Sequence, residues 1–215
     1  MAHDEGTGLP GEEPRSTLDL WDWRRQMAAL YSIVRSASPE DAWHRWRDGR
    51  DRLFREHPQS PVPEVRRASF PGIPLFGYDP ALRFVAAVDP IDPPAQLGLP
   101  HSGAGVTRAV AFGSVHLEID GVAASLPIYR LLAYGDGIFL PFRDATNGAE
   151  TYGGGRYLID TVKGADLGAS GAGLILDFNF AYHPSCVHDP AWSCPLSPPA
   201  NTLPVAIRAG ERLRS

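Results

Sequence analysis

The sequence predicts a mainly β fold: an antiparallel meander forming a closed or partly closed barrel, with two N-terminal α-helices. Three observations carry this expectation. From about Val106 apolar and polar residues alternate with a period of two, as in Val115, Leu117 and Ile119 against His116, Glu118 and Asp120. The turn pairs Asp120-Gly121 and Asp136-Gly137 join consecutive apolar runs, so neighbouring strands follow one another as hairpins. Helical apolar spacing is confined to the stretch before Pro58. The 215 residues suit one structural domain. Within it the pattern divides into a disordered tail (1–15), a helical segment packed on the core (16–57) and a β domain (58–215).

The elements follow in order. Residues 1–15 hold no aromatic side chain and little to bury, so they are expected to be disordered. Ser16 or Thr17 is placed to cap a first helix. Its apolar stripe is Leu18, Trp21, Ala28 and Tyr31, with Met27, Leu30 and Val34 on the adjoining turn. Ser38-Pro39-Glu40-Asp41 opens a second helix with a hydroxyl cap, a proline at the first helical position and acids in the first turn. Trp43, Trp46, Leu53 and Phe54 share its docked face; Arg45, Arg47, Arg50, Arg52 and Arg55 surround it as solvated charges. Six prolines from Pro58 to Pro80 make an extended connector. Arg83–Val88 reads as a strand and Pro90–Gly105 as a loop. The β core then runs through Val115–Ile119, Leu126–Leu132, Ile138–Phe142, Arg156–Val162 and Leu174–Phe180, and residues 203–208 close or edge the sheet. Hairpin joining of consecutive strands favours a barrel over a sandwich.

Composition restricts partners. A net charge of −5 argues against nucleic acid, whose phosphates are held by basic domains. No apolar run approaches the roughly 18 residues of a membrane span, so no membrane partner is expected. The acidic, polar start MAHDEGTGLPGEEPRS lacks the positive charge and apolar stretch of a signal peptide, which points to the cytoplasm and reduced thiols. Oligomeric state and cofactor stay open.

Two polar segments interrupt the apolar strands. Phe139–Leu158 gathers Arg143, Asp144, Thr146, Thr151, Tyr152 and Arg156. Gly153–Gly155 lets backbone N–H groups approach an anion, but Arg156-Tyr157 replaces the Lys-Ser/Thr of a phosphate loop, and a strand rather than a helix follows. No Gly-x-Ser-x-Gly elbow is present. Asp177–Pro195 holds Asp177, Asn179 and both cysteines. His183, Cys186, His188 and Cys194 are the residue types of a tetrahedral metal site, yet seven residues separate the cysteines, so no metal is favoured. A reactive thiol or redox pair is a further option for Cys186 and Cys194.

These segments carry a resemblance. Phe139-Leu140-Pro141-Phe142-Arg143-Asp144, the string Glu150–Leu158, Asp177-Phe178-Asn179, Cys186, Cys194-Pro195-Leu196 and Ala209-Gly210-Glu211 resemble the prokaryotic domain-of-unknown-function family 1684. Trp46-Arg47, Ser60-Pro61, Tyr78-Asp79-Pro80 and Arg83 match its front half. The resemblance runs from about residue 43 to residue 211. It implies no activity. The family pattern has asparagine and tyrosine where this chain has His183 and His188, which makes a four-ligand metal site peculiar to this chain. The family includes exported members with a signal sequence.

The expectation for function is a small-molecule enzyme, or enzyme-like binder, of a polar, anionic metabolite in a barrel pocket. Arg143, Thr146, Thr151, Arg156 and Asn179 bind the substrate; Asp144, Tyr152 or Asp177 moves a proton. The alternatives are a non-catalytic module contacting a protein through the Trp- and Arg-rich helices, and a metal- or thiol-dependent protein built on Cys186 and Cys194.

Overall fold

The computed structural model describes residues 14–214 apart from Tyr134 and Ala172. The disordered tail expected over 1–15 lies outside the described residues except at Pro14 and Arg15, which open the first helix.

Helix α1 (Pro14–Ser36) begins upstream of its expected caps, leaving Ser16 and Thr17 inside its first turn. Its buried line is Met27, Leu30, Tyr31 and Val34, extended by Trp23, whose ring lies 5.9 Å from Phe54. Those positions recur every three or four residues and so share one face. Leu18 and Trp21 fall off that line and are 62% and 60% exposed, against expectation. Helix α2 (Pro39–Glu56) buries Trp43, Trp46, Leu53 and Phe54 as expected, and Ala42 and Arg50 as well. Trp46 Nε1 donates to Tyr31 Oη at 3.0 Å, locking the helices together. Gly49 makes the close approach possible: a Cβ there would lie 2.6 Å from Leu30 Cδ1. Ser38 precedes α2, but its hydroxyl donates to the Asp41 carboxylate at 2.7 Å rather than capping a backbone N–H.

Among the described residues eight strands follow: β1 (Arg83–Ala86), β2 (Asp89–Pro100), β3 (Val106–Ile119), β4 (Val122–Leu131), β5 (Gly137–Phe142), β6 (Arg156–Asp160), β7 (Ala169–Ser170) and β8 (Gly173–Asp177). They form two antiparallel sheets, β2-β3-β4-β5-β6 and β1-β8-β7. The β3–β4 hairpin turns at Asp120 and Gly121, both at positive φ (52° and 75°). Before β5 the positive φ falls on Gly135 and Asp136, one residue earlier than expected, and Gly137 already belongs to the strand.

A closed barrel is not found among the described residues: the larger sheet ends on β2 and β6, and β8 pairs with β1 instead of extending it. The two sheets instead share a core, with Val115, Leu126, Ile128 and Phe142 from one side meeting Ala86, Leu176 and Phe178 from the other. Two readings of individual segments change accordingly. The expected loop at 90–105 is largely strand β2; its prolines are tolerated because β2 is an edge strand, interrupted between Pro90 and Ala95. Residues 203–208 form no strand. They run as irregular chain beside 143–145, with Leu203 N donating to Arg143 O (2.8 Å) and Ala145 N to Val205 O (3.0 Å).

Candidate functional site

The loop between β5 and β6 is built around Asp144 and Arg156. The N–H and hydroxyl of Thr146 donate to Asp144 Oδ1 at 2.8 and 2.6 Å, and the Ile207 N–H does so at 3.2 Å. The Thr151 hydroxyl lies 2.8 Å from that of Thr146. Arg156 Nη2 donates to Asp144 Oδ2 and to Ile207 O, both at 2.8 Å. Its Nη1 donates to the carbonyls of Ala209 and Glu211. The guanidinium is fully buried over the Phe142 ring, and only Nε lacks a partner. Burial lowers its pKa while Asp144 opposes the shift. Gly155 enters this turn at φ +97°, and a Cβ there would lie 2.6 Å from Phe142 O, so glycine is required. Thus Arg156, Asp144, Thr146 and Thr151 do converge, but onto one another and onto the C-terminal segment.

A second buried pair adjoins it. Arg50 Nε donates to Glu211 Oε1 at 3.1 Å, Nη2 contacts the same oxygen, and Oε2 accepts the His183 N–H at 2.8 Å. The Arg50 guanidinium lies 5.0 Å from each of the Trp46, Phe54 and Tyr182 ring centroids. Burial raises the Glu211 carboxyl, but Arg50, followed by His183 and His188, outweighs it and holds the pKa below its ordinary value. His183 Nε2 accepts the Tyr152 N–H at 3.2 Å, so its proton sits on Nδ1, 3.8 Å from Glu211 Oε2. Burial drops its pKa to about 4. Sequence reasoning missed this pair as a unit: Arg50 was expected among the solvated arginines, and Glu211 stood out only through the family resemblance.

Asp177 and Asn179 sit elsewhere. Asp177 accepts from Arg83 Nη1 (3.0 Å) and from the Asn179 side chain (2.8 Å). Asn179 exchanges two hydrogen bonds with the backbone of Asp79. Both are buried, and burial raises the Asp177 pKa. They weld the connector to the end of β8. Arg143 is half-buried, with Nε unpartnered.

Tyr152 joins the two polar segments. Its backbone binds His183, and its hydroxyl lies 3.9 Å from Cys186 Sγ. The four candidate metal ligands do not converge: among the described residues no group of three or more His, Cys, Asp or Glu side chains is arranged to hold an ion. Cys186 and Cys194 are free thiols.

Beside His183 opens a cleft of about 500 Å³. The connector contributes Arg66, Phe70 and Ile73; the C-terminal segment contributes Arg212 and Arg214; His183 and His188 stand between. Among the described residues the lining contains no carboxylate. Arg66, Arg212 and Arg214 donate to the carbonyls of His188, Leu75 and Gly72 (2.5, 3.3 and 2.6 Å), and among the described residues none of the three is ion-paired. His188 packs edge-on against Phe54, and its Nε2 is buried without a hydrogen bond. Burial lowers its pKa, and the charges of Arg50, Arg66 and Arg214 act in the same direction against Glu211. No spacing rule links residues 66, 188, 212 and 214, so the cleft was not visible in the sequence. On the other side of His183 a smaller, more apolar cavity of about 270 Å³ lies under Trp23, Phe54 and Tyr182.

The family described as "Protein of unknown function (DUF1684)" matches residues 68–212. No curated protein matches the chain. Among solved structures, the solution NMR structure of an uncharacterized protein of Haloarcula marismortui is similar, at 35% identity and a TM-score of 0.58, covering 91% of this chain and 97% of that one. Among the described residues no helix is long and apolar enough to cross a membrane.

Proposed function

As the chain belongs to the DUF1684 family of proteins of unknown function, we propose its function from its own geometry: it binds a small organic anion in the cleft lined by Arg66, Arg212, Arg214 and His188. The observation that carries this reading is the set of three arginines with no ion-pair partner among the described residues, around a cleft whose described lining has no carboxylate. Closely grouped guanidinium groups repel one another, and an anion relieves that repulsion through charge-assisted hydrogen bonds. The orphaned His188 Nε2 is a further polar group awaiting a partner. Phe70, Ile73 and Leu213 give the ligand an apolar wall, and about 500 Å³ is the size of a metabolite site. The expected roles of Arg156 in holding the anion and of Asp144 in moving a proton are thereby given up in this reading, because the protein itself occupies both Arg156 Nη atoms and the Asp144 carboxylate. Those groups hold the C-terminal segment that presents Arg212 and Arg214.

The reading is tested by calorimetry with phenyl phosphate, benzoate and the neutral benzyl alcohol. The two anions are expected to bind and the alcohol not. Arg66→Gln and Arg212→Gln are each expected to weaken phenyl phosphate binding about tenfold, the loss of one charge-assisted hydrogen bond. Equal binding of benzyl alcohol, or an Arg66→Gln/Arg212→Gln double variant that binds as well as the parent, sinks the reading.

A further inference from the structure

We propose that the cavity of about 270 Å³ under Trp23, Phe54 and Tyr182 is a second binding site, for an uncharged two-ring aromatic molecule whose carbonyl oxygen accepts a hydrogen bond from the Tyr182 hydroxyl. The inference does not rest on the anion reading of the cleft. His183 borders both spaces, but Trp23, Met27, Tyr182 and Trp192 line this cavity and not the cleft.

The walls come from separate stretches of chain. Helix α1 supplies Trp23 and Met27, α2 supplies Phe54, and the chain beyond β8 supplies Tyr182 and Trp192. Trp192 is 37% exposed and stands at the rim. The Trp23 and Phe54 rings lie 5.9 Å apart, tilted by 43°. Walls of this kind receive a flat aromatic body through offset or edge contacts. An apolar cavity of about 150 Å³ takes a single benzene ring, so about 270 Å³ has room for two fused rings.

Tyr182 selects the polar feature of the ligand. Its backbone exchanges hydrogen bonds with that of Tyr157 at 2.9 and 3.1 Å, and its ring stands edge-on to the Tyr157 ring at 5.6 Å. The hydroxyls of buried Tyr31, Tyr129 and Tyr157 each have a protein partner, in Trp46, Asn201 and Pro195. Tyr182 Oη is buried with none among the described residues. A buried hydroxyl without a partner is costly, and a ligand carbonyl removes that cost. Burial holds the Tyr182 pKa well above the ordinary phenol range, so the group is a donor at neutral pH. The charges within the lining are already answered: Arg50 pairs with Glu211 and Lys163 with Asp160, while Arg24 is exposed to solvent. No buried charge in the lining calls for an ion, which makes the ligand neutral where that of the cleft is anionic.

The test titrates the full-length protein, labelled at its methionine methyl groups, with coumarin, a neutral fused two-ring lactone. Met27 is one of two methionines, and Met27→Leu assigns its signal. The Met27 methyl is expected to shift saturably, and phenyl phosphate is expected not to reverse the shift. Naphthalene, which has the rings but no acceptor, is expected to bind more weakly. Tyr182→Phe is expected to weaken coumarin binding about fivefold, the value of one hydrogen bond, while leaving naphthalene binding and the urea midpoint undiminished. A Met27 methyl that stays in place at millimolar coumarin, or shifts found only at His188 and Leu213 in the cleft, overturns the proposal without any variant. So does a Tyr182→Phe protein that binds coumarin as tightly as the parent.

Discussion

Arg50 and Glu211 are the residues on which the packing of α2 against the C-terminal segment turns. Removing one partner of a buried pair strands the other, so Glu211→Ala is expected to cost about 3–5 kcal/mol in urea unfolding, more than an exposed pair such as Arg208–Glu150 would. Replacing both, as Arg50→Met with Glu211→Leu, is expected to recover a large part of that loss. His183 gives a pH dependence of known sign. Its folded pKa, about 4, lies below the ordinary 6.5 because of burial. As pH falls from about 6.5 to about 4 the unfolded chain takes up a proton that the folded chain refuses. Stability is therefore expected to decline across that window by up to about 3 kcal/mol, and the decline should shrink in His183→Gln. His188 is displaced in the same direction. At this scale the sequence is a poor guide. It marked Asp144, Thr146, Thr151 and Arg156 as a polar cluster, and they do touch; it gave no partner that would let Arg50, one arginine among five on α2, be buried. Helical spacing puts Arg50 on the Trp46–Leu53 face, but the pattern cannot reveal that a carboxylate from residue 211 waits there.

Helix α1 is part of the core. Met27, Leu30, Tyr31 and Val34 are buried, and Tyr31 accepts the Trp46 N–H. Removing residues 1–36 is therefore expected to unfold the chain, seen as loss of the cooperative urea transition, rather than to leave a folded β domain lacking a contact surface. Trp43, Trp46 and Arg50 face inward, while Trp21, Arg45, Arg52 and Arg55 stay exposed on the helices. The turn at Gly155 is equally constrained, and Gly155→Ala is expected to destabilise by at least about 1–3 kcal/mol from its positive φ alone. The strands from β3 to β6, and β8, were legible because alternation and the Asp120-Gly121 turn are local signals. Strand β2 was hidden by prolines that only an edge position permits. The path of 203–208 is set by hydrogen bonds to residues some sixty positions earlier, such as Leu203 to Arg143, which no local pattern encodes.

At the scale of the molecule, two buried ion pairs fix the C-terminal segment across the loop before β6 and across α2, and that segment carries Arg212 and Arg214 to the connector bearing Arg66. The cationic cleft is thus a product of the whole fold. Its residues come from widely separated parts of the chain, which is why no local motif marks it. The most direct measurement of the central claim is an amide chemical-shift titration of the labelled protein with phenyl phosphate. Anion binding in the cleft requires saturable shifts concentrated at Val62, Ser69, Val187, His188 and Leu213, around it. Saturable shifts centred instead on 143–156, or no shift at millimolar phenyl phosphate, would contradict it.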